Sequence, residues 1–340
     1  MEGRMIVLLA CLMAGCVARE GAQSGAPANQ TSQVVEAAPH YAVAEKPAAF
    51  PYGVNALAAC VLEGRVYVAG GYGNRGNGRD ATMLRQLWRY DPEANEWQRL
   101  ADMPEGRCFH AMATARGNLY IFGGIGEGRG AGSETREAVL MYDPRTNRWS
   151  EIGRLPTPRN RLAAAAVGDR VYVVAGMQLR EHLENTETVD ILDARTHQWS
   201  RGAPLPSAGH GVALAVVGHT LVLAGGTGDM SETWLYDTTS DKWRKGSAMP
   251  EYRLFASAAA VGGIVHVIGN RANAPIPLLV YDLAADKWQQ AAAESVDTHR
   301  AAAVTLHRLI YVIGGEGPRG REISRVSRYD PATGAWAHSD

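Results

Sequence analysis

LYIFGGIGEGRGAGSETREAVLMYDPRTNRW, residues 119–149, contains every element of a pattern that recurs along this 340-residue chain. An apolar run ends in Gly123-Gly124, a glycine-rich stretch follows, a second apolar run ends in Tyr142-Asp143, and Trp149 stands six residues after that aspartate. Short β-branched and aromatic runs bounded by glycine predict strands. The same interval joins Asp91, Asp143, Asp193, Asp237, Asp282 and Asp330 to Trp97, Trp149, Trp199, Trp243, Trp288 and Trp336. Successive tryptophans lie 52, 50, 44, 45 and 48 residues apart, close to the length of a four-stranded propeller blade. The chain is a repeat protein, and its function has to be sought where the repeats differ.

Upstream, VYVAGG, LYIFGG, VYVVAG, LVLAGG, VHVIGN and IYVIGG mark the second strand of each unit. A further apolar run precedes each one, across the pairs Glu63-Gly64, Gly117-Asn118, Gly168-Asp169, Gly218-His219, Gly262-Gly263 and His307-Arg308. Most of these pairs suit two-residue hairpins, because glycine and asparagine tolerate positive φ. The position two before tryptophan is Asn95, Asn147, His197, Asp241, Asp286 and Gly334. Five of these residues suit a left-handed turn, and the leading aspartate accepts amide hydrogen bonds within it. Six copies at a fixed offset point to turn formation rather than catalysis.

The double glycine, the Tyr-Asp pair and the spaced tryptophan resemble kelch repeats, over about residues 51 to 340. Ala175, Asn270 and Leu192 depart from the pattern. The resemblance implies an all-β fold, a six-bladed β-propeller of four-stranded antiparallel blades at about 51–104, 105–156, 157–206, 207–250, 251–295 and 296–340. It places each first strand on the central channel and each fourth strand outside. Both termini are expected at the outer edge of blade six, with Tyr41 to Lys46 as a closing strand that covers an unpaired edge.

Met1 to Gly15 carries one arginine followed by a ten-residue apolar stretch, too short to span a bilayer and shaped like a secretory signal. Leu12-Met13-Ala14-Gly15-Cys16 resembles a bacterial lipobox, which implies lipidation of Cys16; an ordinary signal cut near Ala14 or Ala18 is the alternative. Residues 16–40 form a tether rich in Ala, Gln, Ser, Gly and Pro. The expected location is the cell envelope, lipid-anchored on the periplasmic face or outer membrane, or else secreted. A net charge of −1 gives no basic stripe for nucleic acid. Cys60 and Cys108, which remain in the folded part, are either bonded or buried free thiols.

The loops between second and third strands vary most: Tyr72 to Gln86, Ile125 to Ala138, Met177 to Thr188, Thr227 to Glu232, Arg271 to Pro277 and Glu316 to Arg325. Blades one, two, three and six therefore raise walls around a cup, while four and five stay low. Beside these loops, at the entrances to the first strands, stand Arg107, His110, Arg159, Arg161, His210, Arg253, His299 and Arg300, with Tyr52, Asn55 and Tyr252. Arginines suit planar recognition of carboxylates, so this set is the candidate site for an anionic or polyhydroxylated ligand. The competing assignment is pairing between blades. Arg75, Arg79, Arg129, Arg136, Arg319, Arg321, Glu127 and Glu134 either join the site or solvate the loops.

Galactose oxidase is similar in fold, but its copper needs two tyrosines, two histidines and a crosslinked cysteine, whereas His110, His210 and His299 fall in three different blades. No metal and no cofactor are expected. Resemblance to kelch enzymes that epimerise sialic acid would require a base and an arginine, for which Glu181, Glu184 and Arg180 are available. Gly73 to Gly78 and Gly126 to Gly132 lack the following helix of a phosphate cradle and are expected to be flexible rim loops. The favoured function is binding of a protein or glycan partner on the long-loop face, with membrane contact through a lipid anchor only. A carbohydrate-active enzyme such as a sialic acid epimerase, and a structural envelope component, are the alternatives.

Overall fold

A computed structural model describes residues 43–73, 81–128, 133–179, 182–229, 231–269, 277–292, 296–317 and 320–340. The expected signal, the tether and Cys16, together with Arg75, Arg79, Arg129, Arg180, Glu181 and Arg319, lie outside the described residues. Six four-stranded antiparallel sheets follow one another along the described chain. In blade one the strands are Ala58–Leu62, Arg65–Ala69, Leu87–Asp91 and Glu96–Arg99. In blade six they are Ala302–Leu306, Leu309–Ile313, Val326–Asp330 and Ala335–His338. Each first strand touches the first strands of both neighbouring blades, and that of blade six touches that of blade one, so the ring is closed.

The second strands are the most buried, as Val171, Tyr172, Val173 and Val174 at 0–2% exposure illustrate. Alternate residues face opposite neighbouring blades, so both faces of each blade must be apolar. That requirement explains continuous runs such as LYIF in place of alternation. The hairpins between first and second strands are as expected except in blade two. There Ala115 pairs with Asn118, and Arg116 and Gly117, at φ 50° and 74°, make the turn. Asn118 already belongs to the strand.

All six residues two before tryptophan adopt positive φ: Asn95 54°, Asn147 53°, His197 57°, Asp241 54°, Asp286 48° and Gly334 73°. The leading aspartates accept amides of their own turns, as in Arg195 N to Asp193 Oδ1 at 2.8 Å. The turns do more than reverse the chain. Asn147 Oδ1 accepts the Tyr142 hydroxyl at 2.8 Å and the amide of Ala101, in the preceding blade, at 2.9 Å, while Trp149 Nε1 donates to the Ala101 carbonyl at 2.8 Å. Asn95 with Trp97 grips Ala48, Asp241 with Trp243 grips Ala203, and Asp286 with Trp288 grips Ser247 in the same way. Tyrosine, Asx and tryptophan thus form a clasp between blades. Asn147→Ala is expected to lose about 2 kcal/mol in urea unfolding, from the hydrogen bonds and from alanine at positive φ. Asn147→Gly should lose less, because it removes the backbone strain.

Ring closure departs from expectation. Residues 43–46 form no strand, and blade six completes its sheet with Ala335–His338 alone. The N-terminal segment lies across the seam between blades six and one: Arg328 donates to the carbonyls of Ala44 and Glu45 at 2.6 and 3.0 Å, Lys46 pairs with Asp340 at 2.7 Å, and the blade-one clasp holds Ala48. Pro47 lacks the amide that a ladder needs at this point. Cys60 and Cys108 are buried free thiols, pushed well above the ordinary thiol range by burial.

Candidate functional site

The long-loop walls are ordered ribbons where described. Tyr72–Gly73 pairs with Thr82–Met83 in blade one, Ile125–Glu127 with Ser133–Thr135 in blade two, and Met177–Leu179 with Leu183–Asn185 in blade three. Glu316 bridges to Glu322 in blade six, while blade four makes only a short turn. Gly126 therefore lies in a strand rather than in a flexible loop.

Within these walls each blade contributes one residue with positive φ just before its first strand: Ala56, Phe109, Arg161, Gly211, Phe255 and Arg300, at 52–66°. Each amide donates to the carbonyl of its counterpart in the preceding blade at 2.8–3.0 Å, and Ala56 donates to Arg300, which closes a circle of six hydrogen bonds on the axis. The left-handed conformation turns each amide and carbonyl into the circle instead of into a blade ladder. Opposite blades match, with a small residue in one and four, phenylalanine in two and five, and arginine in three and six.

Phe109 and Phe255 meet across the axis with centroids 6.0 Å apart. Arg161 lies 4.7 Å over Phe109, and Arg300 lies 5.4 Å over Phe109 and 5.2 Å over Phe255. Beside them is an axial cavity of about 120 Å³, lined by two residues from every blade, including His110 and Leu162. Arg300 pairs with Glu316 at 2.7 Å. Arg161 bonds neutral Asn160 at 2.7 Å, and its pKa is drawn down by burial and then by the charge of Arg300. Two guanidiniums with one carboxylate leave the mouth positive, with planar N–H edges beside aromatic faces. Such a site accepts a carboxylate by paired hydrogen bonds.

The eight candidate residues divide. Arg161, Arg300 and His110 line the mouth. His210 stands against Phe255 at 5.7 Å, its Nδ1 2.7 Å from Asn185 of the blade-three ribbon, and His299 lies 3.5 Å from Glu316. Arg107, Arg159 and Arg253 are not ligand groups; they are 0–1% exposed. Arg107 binds Glu105 at 2.7 Å and the Ala138 carbonyl at 2.7 Å, Arg159 binds Asp190 at 2.5 Å, and Arg253 binds Glu251 at 3.0 Å and the Pro277 carbonyl at 3.0 Å. They stitch their own blades together. Arg136 joins the first of these networks through Glu105 at 3.0 Å. Glu184, proposed as a base, is an exposed ribbon residue away from the mouth cavity. Phe109, Phe255 and Glu316 were missed as site residues. The signal shared by the two phenylalanines is the Arg-x-Phe spacing of Arg107-Phe109 and Arg253-Phe255; Glu316 has no such mark.

A closed ring of clasped four-stranded blades with an axial mouth defines a β-propeller of the kelch class. The model of the KLHDC2/KLHL20/DRC7 Kelch-repeats domain matches residues 56–270, and that of the Kelch motif matches residues 297–338. The chain belongs to the kelch-repeat family. It is 36% identical to Kelch-like protein 35 of Homo sapiens and 27% identical to that of Mus musculus, each over 220 residues, 65% of this chain and 35% of the relative. The chain thus spans about a third of the length of these curated relatives. The solved structure of YjhT is similar in fold, with a TM-score of 0.74 over 87% of this chain and 100% of that one at 17% identity. Kelch-repeat propellers generally serve protein interaction.

Proposed function

We propose that this protein is an exported binding module whose long-loop face recognises a carboxylate on a protein or glycan partner. The observation that carries this reading is the convergence of Arg161 and Arg300 over Phe109 and Phe255 with Glu316 as the paired carboxylate. Tyr72 and Tyr252, at 39% and 57% exposure, are the large hydrophobic side chains left open among the described residues, and both belong to this face. Exposed tyrosines beside arginines are the residue types that anchor interfaces. Export and an anchor at Cys16 rest on the apolar stretch and lipobox-like residues of the N-terminal sequence.

Arrays of acidic peptides and of glycans ending in uronic or sialic acids supply the probes, each beside its neutral amide or ester. Acidic probes are expected to bind the parent and to weaken at least tenfold against Arg161→Met, which keeps the side-chain bulk. Equal binding of neutral probes, or an unaffected variant, rules out the carboxylate site. Incorporation of labelled palmitate that persists in Cys16→Ser rules out the anchor.

A further inference from the structure

Blades three and six bring their arginines to the mouth on the same frame. Asn160 bridges to Met177 and His299 to Glu316, each through a pair of backbone hydrogen bonds of 2.8–3.1 Å. The next residue in each case is the left-handed arginine, Arg161 at φ 53° and Arg300 at φ 56°. Each guanidinium therefore meets the residue that directly follows its own blade's second-strand glycine, 16 positions further along the chain in both blades.

The frame repeats, but the residue it carries does not. Arg300 Nη1 meets the Glu316 carboxylate at 2.7 Å, whereas Arg161 Nη1 meets the Met177 thioether at 3.6 Å, an uncharged and weak acceptor. Across the six repeats this position reads Tyr72, Ile125, Met177, Thr227, Arg271 and Glu316, so a carboxylate stands there once. One guanidinium is neutralised in place and its counterpart in the opposite blade is left charged. Burial above all holds His110 and His210 uncharged at neutral pH, so neither changes this balance. A ligand with one carboxylate matches the remaining positive charge. A second carboxylate would be drawn from water towards Glu316 with no cation of its own, which is costly in a half-buried site.

We propose that the residue after the second-strand glycine in blades three and six is the charge selector of the mouth: Met177 leaves Arg161 open, Glu316 fills Arg300, and the site takes singly charged carboxylates in preference to doubly charged ones. This rests on the carboxylate reading of the mouth. Each blade shows the other's residue in the same backbone setting, so the exchanges Glu316→Met and Met177→Glu are compatible with the fold.

The test uses the full chain, with succinate and its monomethyl ester as probes carrying two charges and one, at about pH 8 where ordinary histidines are neutral. The readout is the saturable shift of the Phe109 and Phe255 amide resonances, which belong to the axial circle. In the parent the monoester is expected to bind roughly tenfold tighter than succinate, because like charges placed side by side repel. Glu316→Met should reverse that order by opening Arg300, and Met177→Glu should weaken both probes by filling Arg161. No preference in the parent, an unchanged order in Glu316→Met, or undiminished binding in Met177→Glu overturns the selector, while a loss of both probes in Arg161→Met still upholds the carboxylate site. Binding of neither probe to the parent, or undiminished binding of both to Arg161→Met, overturns the carboxylate site and the selector with it.

Discussion

An Arg159→Met chain is expected to lose about 3–5 kcal/mol of stability in urea unfolding, the usual result of removing one partner from a buried ion pair. Arg159 and Asp190 both have fully buried side chains and meet at 2.5 Å. The guanidinium also donates to the carbonyls of Ala175, Thr157 and Val173, each at 2.8 Å, and the Arg159 carbonyl accepts the Gly124 amide of the preceding blade at 3.0 Å. Methionine fills much of the volume but leaves the carbonyls of Ala175, Thr157 and Val173 without their donor, and among the described residues Asp190 then keeps only Arg201, at 3.1 Å. Arg159→Met with Asp190→Leu should recover a large part of the loss, because no unpaired charge then remains inside. A single variant that loses less than about 1 kcal/mol would show that the pair is not structural.

Arg159 and Arg161 also mark where the sequence stops being legible. They are the same residue type, two apart, and alternation along an extended chain would give them the same surroundings. The positive φ of Arg161 breaks that alternation, so one side chain is sealed inside blade three and the other points to the axis. Nothing local distinguishes an arginine in this left-handed position from its neighbour, since glycine, alanine, phenylalanine and arginine all occupy it. The six-unit architecture was legible because each unit must repeat the same two packed faces. The turn aspartates were legible for the same reason. The second use of Asn95, Asn147, Asp241 and Asp286, gripping the preceding blade, was not, because that contact joins residues 38 to 47 apart in sequence.

Between pH 6.5 and 4 the parent is expected to lose about 3 kcal/mol more stability than a His110→Leu variant. His110 is 5% exposed, and neither ring nitrogen has a hydrogen-bond partner among the described residues. Burial, followed by the nearby charge of Arg107, pulls its pKa down to about 3, against a weaker opposing pull from the Ala69 backbone, which lies too far out of line to make a full hydrogen bond. The folded state therefore holds this ring neutral, while the unfolded chain takes up a proton below about pH 6.5. The resulting stability is fully present above the unfolded pKa and is lost as pH falls towards the folded one, at about 1.4 kcal/mol per pH unit. Leucine is apolar, of similar bulk and does not titrate. Urea unfolding of both chains at half-unit intervals isolates this contribution from the carboxylates they share. A stability difference between the two chains that stays constant from pH 6.5 to 4 would mean that His110 is already protonated, or already paired, within the fold.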